Sequence, residues 1–294
     1  MNKNLLSGKH LHDEKAAYEH LSKIRWPEGP VCVHCQSKKV YTLKVAGTSK
    51  RVVLKCGTCR KQFSATVGTI FERSHIPLHK WFMAFQLMAS SKKGMSAHQL
   101  HRMLQITYKS AWFLAHRIRH VMKQTPFGGK LGGIVEADET YIGGKSHIRG
   151  RGADTKTPVF ALVERGGHVR SFTMPIVSAM NLKRSIQEHV STDAKLMTDE
   201  LAAYKRIGKT FADHQTVNHS KKEYARGEAG TNTVEGYFSL LKRGLTGTYH
   251  HVSPRHLHRY LDEFNFRYNA RKEDDATRNF LAIRRTEGKR LQYR

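Results

Sequence analysis

Apolar residues recur at helical spacing in three places in the first half of the chain. Between Leu11 and Arg25, Ala17, Tyr18 and Leu21 fall on one side. That spacing predicts an amphipathic helix, broken by Trp26-Pro27-Glu28-Gly29-Pro30. Leu78, Trp81, Phe82, Phe85 and Met88 predict a second helix that starts at Pro77 and stops at Ser90–Gly94. Ser96-Ala97-His98-Gln99 is a capping-box pattern opening a short helix, 97–104. A tight turn at Gln105-Ile106-Thr107 leads to a further helix, 108–123, with Ala111, Leu114, Ala115, Ile118 and Met122 as its buried stripe. Helix, short turn and basic helix suit docking in a major groove.

The pattern changes after residue 130. Short apolar runs predict strands at 134–140, 157–164 and 168–174, the last two joined by a two-residue Gly166-Gly167 hairpin. A helix at 180–191 crosses to a strand at 195–198. A short helix near 200–207, a strand near 214–218 and a helix at 232–243 follow. Three antiparallel strands, a crossover and then parallel strands describe an α/β fold of the ribonuclease-H-like kind. Ser253-Pro254 opens a last predicted helix whose apolar face is Leu257, Tyr260, Leu261 and Phe264. Three domains are expected: 1–75, a small module with a preceding helix; 76–127, a helix-turn-helix-like module; and 131–294, the core with a basic C-terminal helix. Thr125–Lys130 reads as the linker.

Hydrophobic residues make up 39% of the 294, which excludes a disordered chain. Lys and Arg number 51 against 24 Asp and Glu, a net charge of +27. Such an excess implies a polyanionic partner, here double-stranded DNA. The run of about 20 apolar residues that a membrane span needs is absent. The start, Met1-Asn2-Lys3-Asn4, lacks an apolar signal core, so a cytoplasmic, nucleoid-associated protein is expected. Lys109, Arg117, Arg119 and Lys123 lie off the buried stripe of helix 108–123 and are assigned to DNA, as are Lys242 and Arg243. In the C-terminal helix Arg255, Arg259, Arg267 and Arg271 are left for the same partner.

Cys32-x2-Cys35 and Cys56-x2-Cys59 have the spacing of a four-cysteine zinc ribbon. Val40–Lys44 and Arg51–Lys55 between the pairs read as a hairpin. A ribbon of this size needs zinc to fold, so the Zn2+ is structural.

Asp138 stands in Val135–Lys145, a strand that ends in a glycine turn. Glu136, Asp138 and Thr140 share one face of it, and Val135, Ala137 and Glu139 the other. A carboxylate in such a strand is costly unless paired or metal-bound. Asp199, after the run Lys195–Thr198, and Glu235, on helix 232–243, are the expected partners. Together they outline a two-cation phosphodiester site, with Asp138 bridging two Mg2+ (or Mn2+) and Asp199 and Glu235 each holding one. Glu136 is a rival ligand from the same face, while Glu139 and Glu200 read as surface charges. Asn232 and Glu235 also fit a helix N-cap and its box partner. Lys242, seven residues after Glu235, shares its helix face and is placed against DNA phosphate near the cations.

These stretches resemble insertion-sequence transposases of the zinc-ribbon, ISXO-type group. The resemblance lies in Arg25–Pro30 with the four cysteines, Phe63-Ser64, Thr69–Phe71, Val135–Lys145 and Thr198-Asp199 with Tyr204. It continues through Asn232–Gly244, Gly247–His251 and Arg267–Asn269. It implies a DNA transposase that cuts at the inverted-repeat ends of its element and joins the freed 3′ ends to target DNA. Pairing two ends implies at least a homodimer. Some members of that group carry Asn at the third acidic position, and this chain offers both Asn232 and Glu235; charge favours Glu235.

Overall fold

The structure, a computed structural model, describes residues 6–43, 52–123, 128–143 and 156–291. Lys44, Lys50 and Arg51 of the expected hairpin, Thr125–Phe127 of the linker, and Gly144 and Lys145 lie outside the described residues. Two units form: residues 1–122 with 273–294, and residues 123–272.

In the first unit, α1 (Glu14–Arg25) is capped by Asp13, whose side chain accepts the Ala16 N–H at 2.8 Å. It buries Ala17, Tyr18 and Leu21, as the spacing predicts. Strands β1 (Val40–Leu43), β2 (Val53–Cys56) and β3 (Gln62–Phe63) make a small antiparallel sheet in that order. Helix α2 (Leu78–Ser90) buries residues on nearly every side, Trp81, Phe82, Phe85 and Met88 among them. A helix apolar all round belongs in a core. Each such large side chain contributes about 1.5–3 kcal/mol by leaving water. Helix α3 (Ala97–Leu104) is capped by Ser96, which accepts the Gln99 N–H at 3.2 Å. It ends on Gln105 in the left-handed region, φ +50°, and α4 (Tyr108–Met122) follows at once. The two predicted helices and the turn between them are therefore present to within a residue.

The second unit is built on a five-stranded sheet. β4 (Ile134–Ile142), β5 (Thr157–Glu164) and β6 (Val169–Thr173) run antiparallel. Helix α5 (Ala179–His189) crosses to β7 (Lys195–Thr198), which lies parallel to β4; α6 (Ala202–Gly208) then leads to β8 (Asp213–Thr216), parallel to β7. The strand order β6-β5-β4-β7-β8 is the ribonuclease-H-like order. One face, with Val135, Ala137, Phe160 and Leu162, packs on Leu182, Ile186, Tyr204 and Ile207 of α5 and α6. The other, with Val159, Ala161 and Val163, packs on α7 (Asn232–Gly244) and α8 (Pro254–Asn269).

Three expectations need correction. The β5–β6 turn is wider than two residues: the Gly167 N–H donates to the Glu164 carbonyl at 3.0 Å, the Glu164 N–H donates to the His168 carbonyl at 2.9 Å, and Gly166 takes φ +71°. Arg165 is thereby carried into the loop. The C-terminal segment leaves the expected 131–294 domain, because α9 (Asp275–Arg284) packs on α2 in the first unit. There the Asn279 side-chain amide donates to Gln86 Oε1 at 2.7 Å, both groups buried. Arg267 is buried and paired with Glu263, four residues earlier on α8, so it is not held out for DNA. Among the described residues no helix is long and apolar enough to cross a membrane.

Candidate active site and zinc centre

The two cysteine pairs sit on matching knuckles. The Gln36 N–H donates to the Cys32 carbonyl at 2.9 Å and the Arg60 N–H to the Cys56 carbonyl at 3.1 Å. Gln36 and Arg60 both take φ near +60° to close those turns. The four sulfurs then lie within 4.8 Å of one another, with Cys32–Cys59 and Cys35–Cys56 each at 3.6 Å. A tetrahedron with metal–sulfur bonds of about 2.3 Å has edges of about 3.8 Å, so the cluster fits zinc. The Cys56 thiol is drawn down to about 6, chiefly by the Cys59 N–H and with help from the Thr58 N–H, which favours the thiolate a metal takes. Among the described residues this is the one cluster of three or more ligand side chains closed on a common point.

The carboxylates are brought together by sheet register and a helix. Glu136 of β4 is level with Met197 of β7. Two residues further on, Asp138 lies within β4 and Asp199 just past the end of β7. The Asp199 Oδ1 accepts the Leu201 N–H at 3.0 Å, which turns the chain away from the sheet. Glu235 arrives on α7, packed over the face of β4 that carries Asp138. The Asp138 carboxyl is pushed up to about 7, first by burial and then by the charge of Glu139, with Asp199 and Glu235 adding to it. Crowded, partly buried carboxylates are the hard oxygen donor set that a divalent cation neutralises, so these residues fit Mg2+ or Mn2+.

Glu136, the rival ligand, is 1% exposed and fully engaged. Its oxygens accept the Thr233 N–H at 2.7 Å, the Thr233 hydroxyl at 2.8 Å, the Val234 N–H at 2.9 Å and Arg165 Nε at 2.6 Å. It caps α7 from the neighbouring strand. The N-cap residue itself is Thr231, one position before the expected Asn232. Asn232 is exposed in the first turn, and the Thr231 hydroxyl donates to Glu235 Oε1 at 3.2 Å.

Glu139 and Glu200 are not plain surface charges. Glu139 accepts the hydroxyl of the buried Tyr204 at 2.7 Å, because it faces the α5–α6 side of the sheet. Glu200 accepts the His219 N–H at 3.0 Å, the Ser220 N–H at 3.3 Å and the Ser220 hydroxyl at 2.7 Å. These bonds, that from the Ser220 hydroxyl foremost, pull its carboxyl down to about 2. His219, missed by sequence reasoning, sits with its Nε2 3.2 Å from Thr231 Oγ1 and 3.6 Å from Glu235 Oε1.

Of the residues assigned to DNA, Lys109, Lys123, Lys242 and Arg243 are exposed and Arg117 is half-buried. Arg119 is 2% exposed: it lies on the buried side of α4, where a helical period of 3.6 places it one turn from Ala115 and Met122. Lys242 lines a cleft with Tyr141, Gly143, Thr246, His250 and His251. Residues Leu245–Tyr249 continue α7 as a π-helical turn that ends at His250, φ +59°.

A four-cysteine ribbon, two helices joined by a short turn and a ribonuclease-H-like core with aspartates on neighbouring strands are the parts of a DNA-processing enzyme. Residues 130–269 match the ISXO2-like transposase domain, and residues 12–62 match the transposase zinc-ribbon domain. The two matches together span more than half of the chain and make it similar to the ISXO2-like transposases. A relative from Halobacterium salinarum, described as an uncharacterized protein in transposable element ISH50, is 29% identical over 273 residues, 86% of this chain and 90% of the relative. A solved structure of the Mos1 strand transfer complex aligns over 69% of this chain and 73% of its own, at 13% identity and a TM-score of 0.28. The strand order, rather than that loose overlay, defines the fold.

Proposed function

We propose that the chain binds the inverted-repeat ends of its insertion sequence, hydrolyses a phosphodiester bond at each and joins the freed 3′ ends to target DNA. The observation that carries this reading is that Asp138 on β4 and Asp199 just past β7 belong to neighbouring strands, and that α7, which carries Glu235, packs over the β4 face holding Asp138. Asp138, Asp199 and Glu235 would together hold the divalent cations, Asp138 being more buried than Glu235. Glu235 is favoured over Asn232 by its charge and by its bond from Thr231. Bound Mg2+ or Mn2+ would activate the attacking oxygen and neutralise the leaving one.

Both steps are in-line displacements at phosphorus. In the first, water attacks, the bond to the 3′ oxygen breaks, and a 3′-hydroxyl and a 5′-phosphate result. In the second, that hydroxyl attacks a target phosphate and displaces the target's own 3′ oxygen. Neither step needs a covalent enzyme intermediate. Lys242, two turns along α7 from Glu235, holds the DNA backbone beside the carboxylates, and Arg243 adds to it. Lys109, Arg117 and Lys123 contact DNA from the helical region. The zinc is structural. Two ends acted on together call for a homodimer or a larger assembly, working on DNA in the cytoplasm.

The test uses labelled duplexes from both flanks of the reading frame, a target plasmid, and Mg2+ or EDTA. Expected are Mg2+-dependent nicks at one inverted-repeat boundary and labelled strand joined to plasmid. Asp138→Asn should abolish both and leave end binding nearly intact. Binding without nicks would indicate a regulator with an inactive core, and nicks without end specificity or joining a structure-specific nuclease.

A further inference from the structure

Glu235 is 45% exposed at its side chain, on the outer turn of a helix. A glutamate there has three rotatable bonds and loses entropy when a ligand geometry is imposed on it. The protein meets that cost in advance through a loop. His219 opens the short helical turn His219–Lys221, which Asn218 caps by accepting the Lys221 N–H at 3.1 Å. Glu223 holds the same turn, its Oε2 accepting the Asn218 N–H at 3.2 Å. The Glu200 carboxylate fixes it from the other side through His219 and Ser220, and Glu200 directly follows Asp199. The His219 ring rests 5.5 Å from the Tyr224 ring, and its Nε2 is 3.2 Å from Thr231 Oγ1, which donates to Glu235 Oε1, and 3.6 Å from that oxygen itself.

We infer that His219 is a positioning residue for the third carboxylate, clamping Glu235 between Thr231 and a loop anchored at the Asp199 turn. This rests on the reading of Asp138, Asp199 and Glu235 as the cation-binding set. The clamp couples the second and third carboxylates: Glu200 ties the loop to one, and His219 ties it to the other.

The experiment is a Mn2+ titration of the full-length, zinc-loaded protein, followed by the electron paramagnetic resonance signal of free Mn2+. His219→Phe keeps the ring beside Tyr224 and removes both nitrogens. His219→Gln keeps a polar nitrogen near the Nε2 position. Groups that orient a ligand typically change metal affinity by about 10–100-fold. His219→Phe is expected to weaken Mn2+ binding about tenfold, with unchanged melting temperature and inverted-repeat binding. His219→Gln should stay within about twofold of the wild type. Wild-type Mn2+ affinity in His219→Phe, or equal loss in both variants, overturns the positioning role. Asp138→Asn and Glu235→Gln run alongside. If they too bind Mn2+ like the wild type, the cation-binding set itself is wrong and the inference falls with it.

Discussion

Glu136 receives both the backbone N–H and the hydroxyl of Thr233, at 2.7 and 2.8 Å. A side chain on β4 thereby satisfies the first free donors of α7, two residues before Asp138 on the strand and two before Glu235 on the helix. Helix N-termini leave such donors unpaired and carry partial positive charge, so a buried carboxylate suits them. The contact sets the distance between the first and third carboxylates of the candidate site. Arg165, delivered by the widened β5–β6 turn, completes the charge balance.

Replacing Glu136 should therefore cost stability and not only activity. Glu136→Ala removes the carboxylate partner of Arg165, leaving its guanidinium only the Glu228 and Gly230 carbonyls, and leaves two N–H groups without their acceptor. A loss of about 3 kcal/mol is expected, or about 6–12 °C in melting temperature for a chain of this size. Glu136→Gln retains an acceptor and should lose about half as much. Thermal denaturation in EDTA measures both, and a Glu136→Ala protein that melts like the wild type would show that α7 is held by its apolar face alone.

Lys242 and Arg119 should behave in opposite ways. Lys242 is exposed in a cleft beside α7, whereas Arg119 is buried in α4. Lys242→Ala is expected to weaken DNA binding evenly across sequences and to lower the slope of log affinity against log salt by about 1. Arg119→Ala should leave that slope in place and lower the melting temperature. Duplex-binding titrations at several salt concentrations decide the matter; a shallower slope for Arg119→Ala would return it to the DNA interface.

The sequence made the architecture legible wherever a period was long or a spacing rigid. The helices Ala97–Leu104 and Tyr108–Met122, the four cysteines, and the neighbouring strands that carry or precede Asp138 and Asp199 are of that kind. Face assignment was harder. Glu136 and Asp138 share a strand face by the period of two, and only the packing of α7 shows that one caps a helix while the other faces the acidic centre. The loop holding His219 has no period, so nothing in its residues announced a contact with Glu235. Arg119 and Arg267 look like solvated helix charges but are buried, Arg267 against Glu263. The helix Asp275–Arg284 displays an apolar stripe without naming the surface that covers it, hence its misplacement with the core.

Acid sensitivity of the first unit should trace to His20. Its ring stacks on His10 at 4.0 Å between centroids and meets Phe82 edge-on at 5.4 Å. Burial first, then the charges of His10 and Lys23, lower its pKa from 6.5 to about 4. The unfolded chain binds that proton at higher pH than the folded one does. Stability from the neutral ring is thus complete above pH 6.5 and lost as pH falls through about 4. His20→Phe removes the titration and keeps a ring. Urea midpoints at pH 7.5 and 4.5 should fall further for the wild type than for His20→Phe, and parallel falls would assign the sensitivity to other groups.

Zinc removal should unfold the ribbon while sparing the ribonuclease-H-like unit. The cluster around the cysteines is small: Leu54 and Phe63 are the buried apolar side chains beside Cys32 and Cys56. That is too little apolar surface to hold the β1–β3 ribbon without a metal, and zinc binding supplies folding free energy in such modules. The β4–β8 sheet has two apolar clusters of its own, one on each face. One zinc per chain is expected by elemental analysis. A strong chelator, or Cys35→Ser with Cys59→Ser, should release it and expose the ribbon to protease. The fragment 123–272 should survive the same digestion. A chelated protein that keeps the ribbon protected would mean that the four thiols are packed rather than ligating.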